Sequence, residues 1–382
     1  MQPGTDLICL SHLRWNFVFQ RPNHLMSECS REHRVFFVEE PLFIDPAAID
    51  TATAPSTAPR AELEIREVQP QLYTVTPRLL MEDDPIKAQR DLLEELCERY
   101  RITAPTVWFY TPMALKFARD LRASVRVYDC MDELSAFRGA PRELQGLERE
   151  LFERADLVFT GGQSLYESKR GSHPSVHLFP SSVDVEHYRT ARGQLPDPED
   201  QRTIARPRIG FFGVIDERLD LELLERIASE RPDWSLVMLG PVVKIDPATL
   251  PKLPNIHYLG KKRYEELPAY LANWDVAMMP FALNESTRFI SPTKTLEYLA
   301  GGKPVVSTMI RDVVTPYADS GLVQVASSDD FVAAVERALA GDALPDMAEV
   351  DALLTRTSWR QTWGQMSALI DSAQHAKESR VA

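Results

Sequence analysis

Cysteine is scarce and scattered in this sequence: Cys9, Cys29, Cys97 and Cys130 are the four, and no two form a C-x-x-C pair. That pattern excludes a disulfide framework and a cysteine zinc site, and it predicts reduced thiols in a cytoplasmic protein. Long hydrophobic runs are also missing. No window approaches the eighteen apolar residues of a membrane-spanning helix, and the amino terminus, MQPGTDLICL, lacks the basic and apolar regions of a signal peptide. Positive charge is in deficit, with 43 Lys and Arg against 56 Asp and Glu, a net charge of −13. Both halves are acidic and neither carries a basic tail, so nucleic acid is not an expected partner. Bulk charge gives no attraction to an anionic membrane, although peripheral attachment to the inner face of the cell membrane through a local patch stays open. There is no Walker loop, G-x-G-x-x-G, H-E-x-x-H or G-x-S-x-G. The pair Asp184 and Glu186 stands without further acids, so no metal site is expected.

What is present is an ordinary globular composition, 44% hydrophobic and 26% charged, long enough at 382 residues for two domains. Short apolar runs alternate with helical patterns. Leu7–Leu10, Arg34–Glu39, Val107–Tyr110, Val125–Tyr128, Leu157–Thr160 and Val176–Phe179 read as strands of a first half. Arg208–Phe212, Ser235–Leu239, Ile256–Leu259, Asp275–Pro280, Val305–Ser307 and Leu322–Val325 repeat the pattern in a second. Alternation of this kind predicts α/β architecture: two Rossmann-like, doubly wound domains in tandem. The expected boundaries are 1–190 for the first domain, 191–207 for a polar linker and 208–355 for the second. A final helix within 356–382, carrying Trp359 and Trp363, is expected to cross back to the first domain. Residues 52–61, rich in Pro, Ala and Thr, read as an exposed connection.

Ligands in such sheets collect at the carboxyl ends of strands, and four stretches there are unusually polar. The first is SPTKTLEYLAGGKPVVST, Ser291 to Thr308. Ser291 suits a helix N-cap and Pro292 the first helical position. Lys294 falls in the first turn, where the helix dipole disfavours a cation unless an anion also sits there. Glu297 lies one turn on, so the two could hold the diphosphate and ribose hydroxyls of a nucleotide; a surface Lys–Glu pair is the plainer alternative. The second stretch runs from His12 to His24, with Trp15 and Arg21 between, and could hold an acceptor sugar or could simply seal the domain. The third is Asp129-Cys130-Met131-Asp132-Glu133. Its acids could bind hydroxyls or act as a base, with Asp132 kept ionised by a following helix; alternatively they only cap that helix. The fourth is Gly213, in a strand-to-helix turn, followed by Arg218.

The segments SPTKTLEYLAGGKPVVST, YEELPAYLANWDVAMMPF, ADLVFTGG with FPSSVD, FVFQRPNHLMS and YDCMDELSAF together resemble the retaining family-four group of GT-B fold glycosyltransferases of bacterial surface polysaccharides. The resemblance implies an acceptor site on the first domain and a donor site on the second. The implied substrates are a UDP-, GDP- or dTDP-linked sugar and a saccharide or lipid-linked saccharide. No cofactor and no metal are expected. Gly213, Arg218, Ser291, Thr293, Lys294, Thr295 and Glu297 become the candidate donor residues. Trp15, Arg21, Asp129 and Glu133 become the acceptor-binding ones, and Asp132, His12 and His24 the catalytic ones. The family often carries a second, sugar-facing glutamate eight positions before Glu297; Phe289 stands there. That departure keeps two alternatives open, a non-catalytic sugar-binding or scaffold subunit and a nucleotide-sugar epimerase.

Overall fold

The computed structural model describes residues 5–45, 60–342 and 344–381. Most of the 52–61 connection lies outside the described residues. A nine-stranded sheet is built from β1 (Leu7–Leu10), β2 (Val35–Val38), β3 (Leu42–Ile44), β4 (Glu62–Gln69), β5 (Leu72–Leu80), β6 (Thr106–Phe109), β7 (Val125–Cys130), β8 (Leu157–Thr160) and β9 (Val176–Leu178). Its order is β3-β5-β2-β1-β6-β7-β8-β9, with β4 antiparallel on β5 and every other pairing parallel. The central strands are covered on both faces, which is why they are apolar without alternation. A second, six-stranded sheet joins β10 (Arg208–Phe212), β11 (Ser235–Leu239), β12 (Ile256–Gly260), β13 (Val276–Met279), β14 (Val305–Thr308) and β15 (Gln324–Ala326). It is parallel throughout, in the order β12-β11-β10-β13-β14-β15.

Helices α1 (Arg21–Cys29), α2 (Pro85–Tyr100), α3 (Leu115–Ala118), α4 (Leu144–Arg154) and α5 (Gln163–Lys169) serve the first sheet. Asp84 starts α2 by accepting from the amides of Ile86 and Lys87, with Pro85 in the first position. The chain leaves through α6 (Val185–Arg189). Around the second sheet lie α7 (Leu221–Glu230), α8 (Leu267–Ala272), α9 (Lys294–Ala300), α10 (Arg311–Val313), α11 (Phe331–Ala340) and α12 (Met347–Leu354). The final helix, α13 (Trp359–Val381), returns to the first domain, where Trp359, Trp363, Met366 and Ile370 join a core with Leu7, Trp108 and Phe159. Segment 191–207 packs on the second domain: Gln201 is fully buried and accepts the Trp274 indole N–H at 2.8 Å.

The strand order reverses at the centre of each sheet, between β1 and β6 in the first and between β10 and β13 in the second. Such switch points open a crevice at the carboxyl ends of the strands. Here the loops from both crevices meet in one interdomain cleft of about 630 Å³, lined among others by His12, Thr111 and Asp132 from one side and Val214, Arg218 and Lys244 from the other. The domains are fastened beside it. The Asp312 carboxylate, buried in the second domain, accepts the Ser164 amide at 3.1 Å and its hydroxyl as well, at the start of α5.

Candidate active site

The second-domain wall is organised by two glycines. Gly213 and Gly240 follow β10 and β11 with φ of +149° and +143°. A Cβ on Gly240 would lie 1.7 Å from the Gly213 carbonyl oxygen, so the two turns touch backbone to backbone. A Cβ on Gly213 would in turn meet Lys294 Cε at 2.2 Å and Nζ at 2.8 Å. Lys294 therefore lies across the Gly213 turn. Its ammonium makes no hydrogen bond or ion pair with any described residue; the Phe211 ring, 5.8 Å away, is its neighbour. Desolvation lowers its pKa and Arg218 adds to the fall, while Glu297, Asp216 and Asp132 oppose it. Glu297 is 8% exposed. Burial raises its carboxyl to about 7, against the pull of Lys294 and a hydrogen bond from the Tyr188 hydroxyl on α6.

Several donor-side expectations need correction. Ser291 does not cap the helix: α9 begins at Lys294, with Thr293 in the cap position. A tight turn from Pro292 to Thr295 precedes it, the Thr295 amide reaching the Pro292 carbonyl at 3.2 Å. Ser291 instead abuts Gly162 of the first domain. Thr295 is fully buried with its hydroxyl on Met279 Sδ, away from the cleft. The Gly213 amide is committed to the Leu239 carbonyl at 2.8 Å, so Gly213 offers close approach and no free donor. Arg218 faces the cleft, yet it is held in a bidentate pair by Asp216 (2.9 and 2.7 Å) and lies over the Phe137 ring. Phe289 reaches across to the first domain and packs on its core beside α5.

On the first domain the structure separates the candidates. His12 and Asp132 line the cleft. His12 Nδ1 is buried without a partner, and desolvation, with Lys244 acting in the same direction, lowers the imidazole to about 4. The Asp132 carboxylate has no hydrogen bond among the described residues. Desolvation raises its pKa, opposed by Arg218. The expected helix dipole is absent there, because β7 runs to Cys130 and the next α-helix, α4, begins at Leu144.

The remaining first-domain residues belong to the scaffold. Arg21 and His24 lie on α1, not in a loop. Arg21 forms a buried bidentate pair with Asp129 (3.0 and 2.9 Å) and also donates to the Phe179 carbonyl at 2.7 Å. His24 stacks flat on Trp359 at 4.8 Å, its pKa lowered to about 3 by burial. Trp15 is 7% exposed, packed edge-on against Phe37, with its amide on Glu39. Glu133 pairs with Lys169 at 2.7 Å. Sequence reasoning missed Lys244, which follows β11 with φ +63° and places its ammonium 4.9 Å above the Phe137 ring. Its position in a loop at the carboxyl end of a strand was the available signal.

Two facing α/β domains with a cleft at both switch points, the last helix returning to the first, define a GT-B architecture. Residues 206–341 match the family described as Glycosyl transferases group 1. The chain is a glycosyltransferase of GT-B type, and its similarity to the group 1 family lies in residues 206–341 of the second domain. It is 27% identical over 276 residues to a protein of Bacillus subtilis (strain 168) described as a teichuronic acid biosynthesis glycosyltransferase, TuaH, covering 65% of this chain and 68% of that one. In fold it is similar to a sucrose-phosphate synthase from Thermosynechococcus elongatus (TM-score 0.69, 15% identity, 97% of this chain and 100% of that one). It is likewise similar to an E. coli trehalose-6-phosphate structure bound with UDP-2-fluoro glucose (TM-score 0.65, 11% identity, 97% and 99%).

Proposed function

We propose that the protein moves a sugar from a nucleoside-diphosphate sugar to a saccharide or lipid-linked acceptor of surface polysaccharide synthesis, with retention of anomeric configuration and without a metal. The observation that carries the reading is Lys294: a half-buried ammonium with no counter-ion, lying over a glycine turn, with Glu297 one helical turn below. A diphosphate seated there meets a charge already desolvated and fixed, and a preorganised charge stabilises the leaving group as the glycosidic bond breaks. Arg218 adds a second, partly neutralised cation. Glu297 is placed to accept from ribose hydroxyls. Support for the donor class comes from the UDP-sugar in the E. coli structure, and for the pathway from the TuaH relative.

Asp132 stands on the opposite wall, within electrostatic reach of Arg218 and Lys294. It would orient the acceptor hydroxyl, with the neutral His12 imidazole lining the same cleft. In a front-face reaction the departing phosphate oxygen takes the hydroxyl proton as the new bond forms on the face the leaving group vacates. A thermal-shift screen over UDP-, GDP- and dTDP-sugars tests the donor assignment, because a ligand bound only by the folded state raises apparent stability. One nucleotide class should stabilise the wild type and should lose that effect in Lys294→Ala. No shift with any nucleotide sugar would overturn the reading.

A further inference from the structure

The cleft is polar at one end and apolar at the other. On the first-domain wall several polar side chains are already engaged, while His12 Nδ1 and the Asp132 carboxylate make no hydrogen bond among the described residues. Ser11 Oγ accepts the Leu13 amide at 2.9 Å, Glu39 takes the Trp15 amide and the Thr76 hydroxyl, Thr111 Oγ1 accepts the Met113 amide, and Lys116 pairs with Glu143. What faces the open volume between them is Leu13, Val38, Met113, Phe117 and Leu134. These five side chains offer a saccharide no hydrogen bond, and they give an apolar chain a surface to lie on. At its mouth stands Ile86, 37% exposed, and outside it Leu42, Phe43 and Met81 are exposed too. The flanking residues there are Glu40, Glu82, Asp83 and Asp84. That acidic rim does not suit an anionic bilayer, so the apolar surface fits a chain and not a headgroup layer.

One cation lining the cleft from the second domain is Lys244. It forms no ion pair or hydrogen bond among the described residues. The groups in its electrostatic reach are His12, Glu40 and Asp132, all from the first domain, whereas Lys294 answers to Glu297, Arg218, Asp216 and Asp132. Asp132 is common to both sets, but of the two lysines only Lys244 lines the cleft itself. We propose that the acceptor is an anionic amphiphile, its apolar chain lying on Leu13, Met113, Phe117 and Leu134, its acidic group beside Lys244 and its hydroxyl at Asp132. This rests on the acceptor assignment above and specifies the class of molecule.

The test is calorimetry of the full chain with n-alkyl phosphates from butyl to octyl, with octyl glucoside and with inorganic phosphate. Burial of each methylene is worth up to about a fourfold gain in affinity, so octyl phosphate should bind at least tenfold more tightly than butyl phosphate, at one site. Lys244→Ala should weaken octyl phosphate about tenfold and leave octyl glucoside unchanged. Leu134→Gln should weaken both. Equal affinity for butyl and octyl phosphate, an unaltered Lys244→Ala, or inorganic phosphate binding as tightly as octyl phosphate would each overturn the proposal. Nucleoside diphosphate titrated into the same samples separates the two readings: its binding can stand while the alkyl series fails.

Discussion

Arg21 and Asp129 offer the clearest separation of scaffold from site. The pair is 3% and 0% exposed and joins α1 to β7 through two hydrogen bonds, with a third from Arg21 to the Phe179 carbonyl. Arg21→Met removes all three and leaves a carboxylate in a dry interior. Breaking one partner of a buried pair costs about 3–5 kcal/mol, because the survivor is uncompensated. For a domain of this size each kcal/mol shifts the melting temperature by about 2–4 °C, so a drop of roughly 10 °C is expected. The double substitution Arg21→Met with Asp129→Leu should cost much less than the sum of the singles, since an apolar pair of similar volume needs no counter-charge. Urea denaturation of the four proteins measures this directly, and calorimetry on the folded variants should show nucleotide affinity unchanged. A loss below about 1 kcal/mol, accompanied by a raised acceptor KM, would refute the reasoning and return the pair to the acceptor site.

Three further outcomes are expected. Burial lifts Glu297 from its ordinary 4.5 to about 7; a carboxyl raised on folding takes up a proton, so its contribution to stability falls as pH rises from about 4.5 to 7. Glu297→Gln should therefore stabilise by roughly 1–3 kcal/mol at pH 8 relative to its effect at pH 4.5, and equal effects at both pH values would contradict the burial. Gly213→Ala places a methyl 2.2 Å from Lys294 Cε at a φ of +149°, costing about 1–2 kcal/mol of stability and displacing the ammonium. Nucleotide affinity should fall with it, and thermal shift beside calorimetry reads both. Trp359→Ala removes the ring stacked on His24 and should destabilise by about 3–5 kcal/mol. The His24 pKa, followed by NMR, should rise toward its ordinary value as the ring gains solvent.

The architecture was legible because the parallel strands are short unbroken apolar runs, such as LICL, RIGFF and SLVML, separated by helical periods. The hairpin of β4 and β5 was not. β4 reads ELEIREVQ, half-exposed at the edge of the sheet, and β5 contains Pro77, which weakens any strand pattern. β3, three residues and mostly exposed, gives no periodicity at all. In the site, Lys294 announced itself by standing where a helix start favours an acid. The partner of Arg21 could not be read, because it lies 108 residues away in a run that looks like a strand followed by an acidic turn. His24 failed for the same reason: its neighbours Trp359 and Tyr264 come from distant elements. Local pattern finds a loop rich in polar groups, and only tertiary packing decides which of them point outward.

Calorimetric titration of the nucleoside diphosphate selected by the thermal-shift screen, and of its parent nucleoside, into wild type, Lys294→Ala and Glu297→Ala tests the donor site most directly. Loss of a charge-assisted contact is worth roughly 1.5–3 kcal/mol, or about tenfold to a hundredfold in affinity. Lys294→Ala should lose that much for the diphosphate and nothing for the nucleoside, and Glu297→Ala should weaken both. Diphosphate affinity unchanged in both variants would contradict the account.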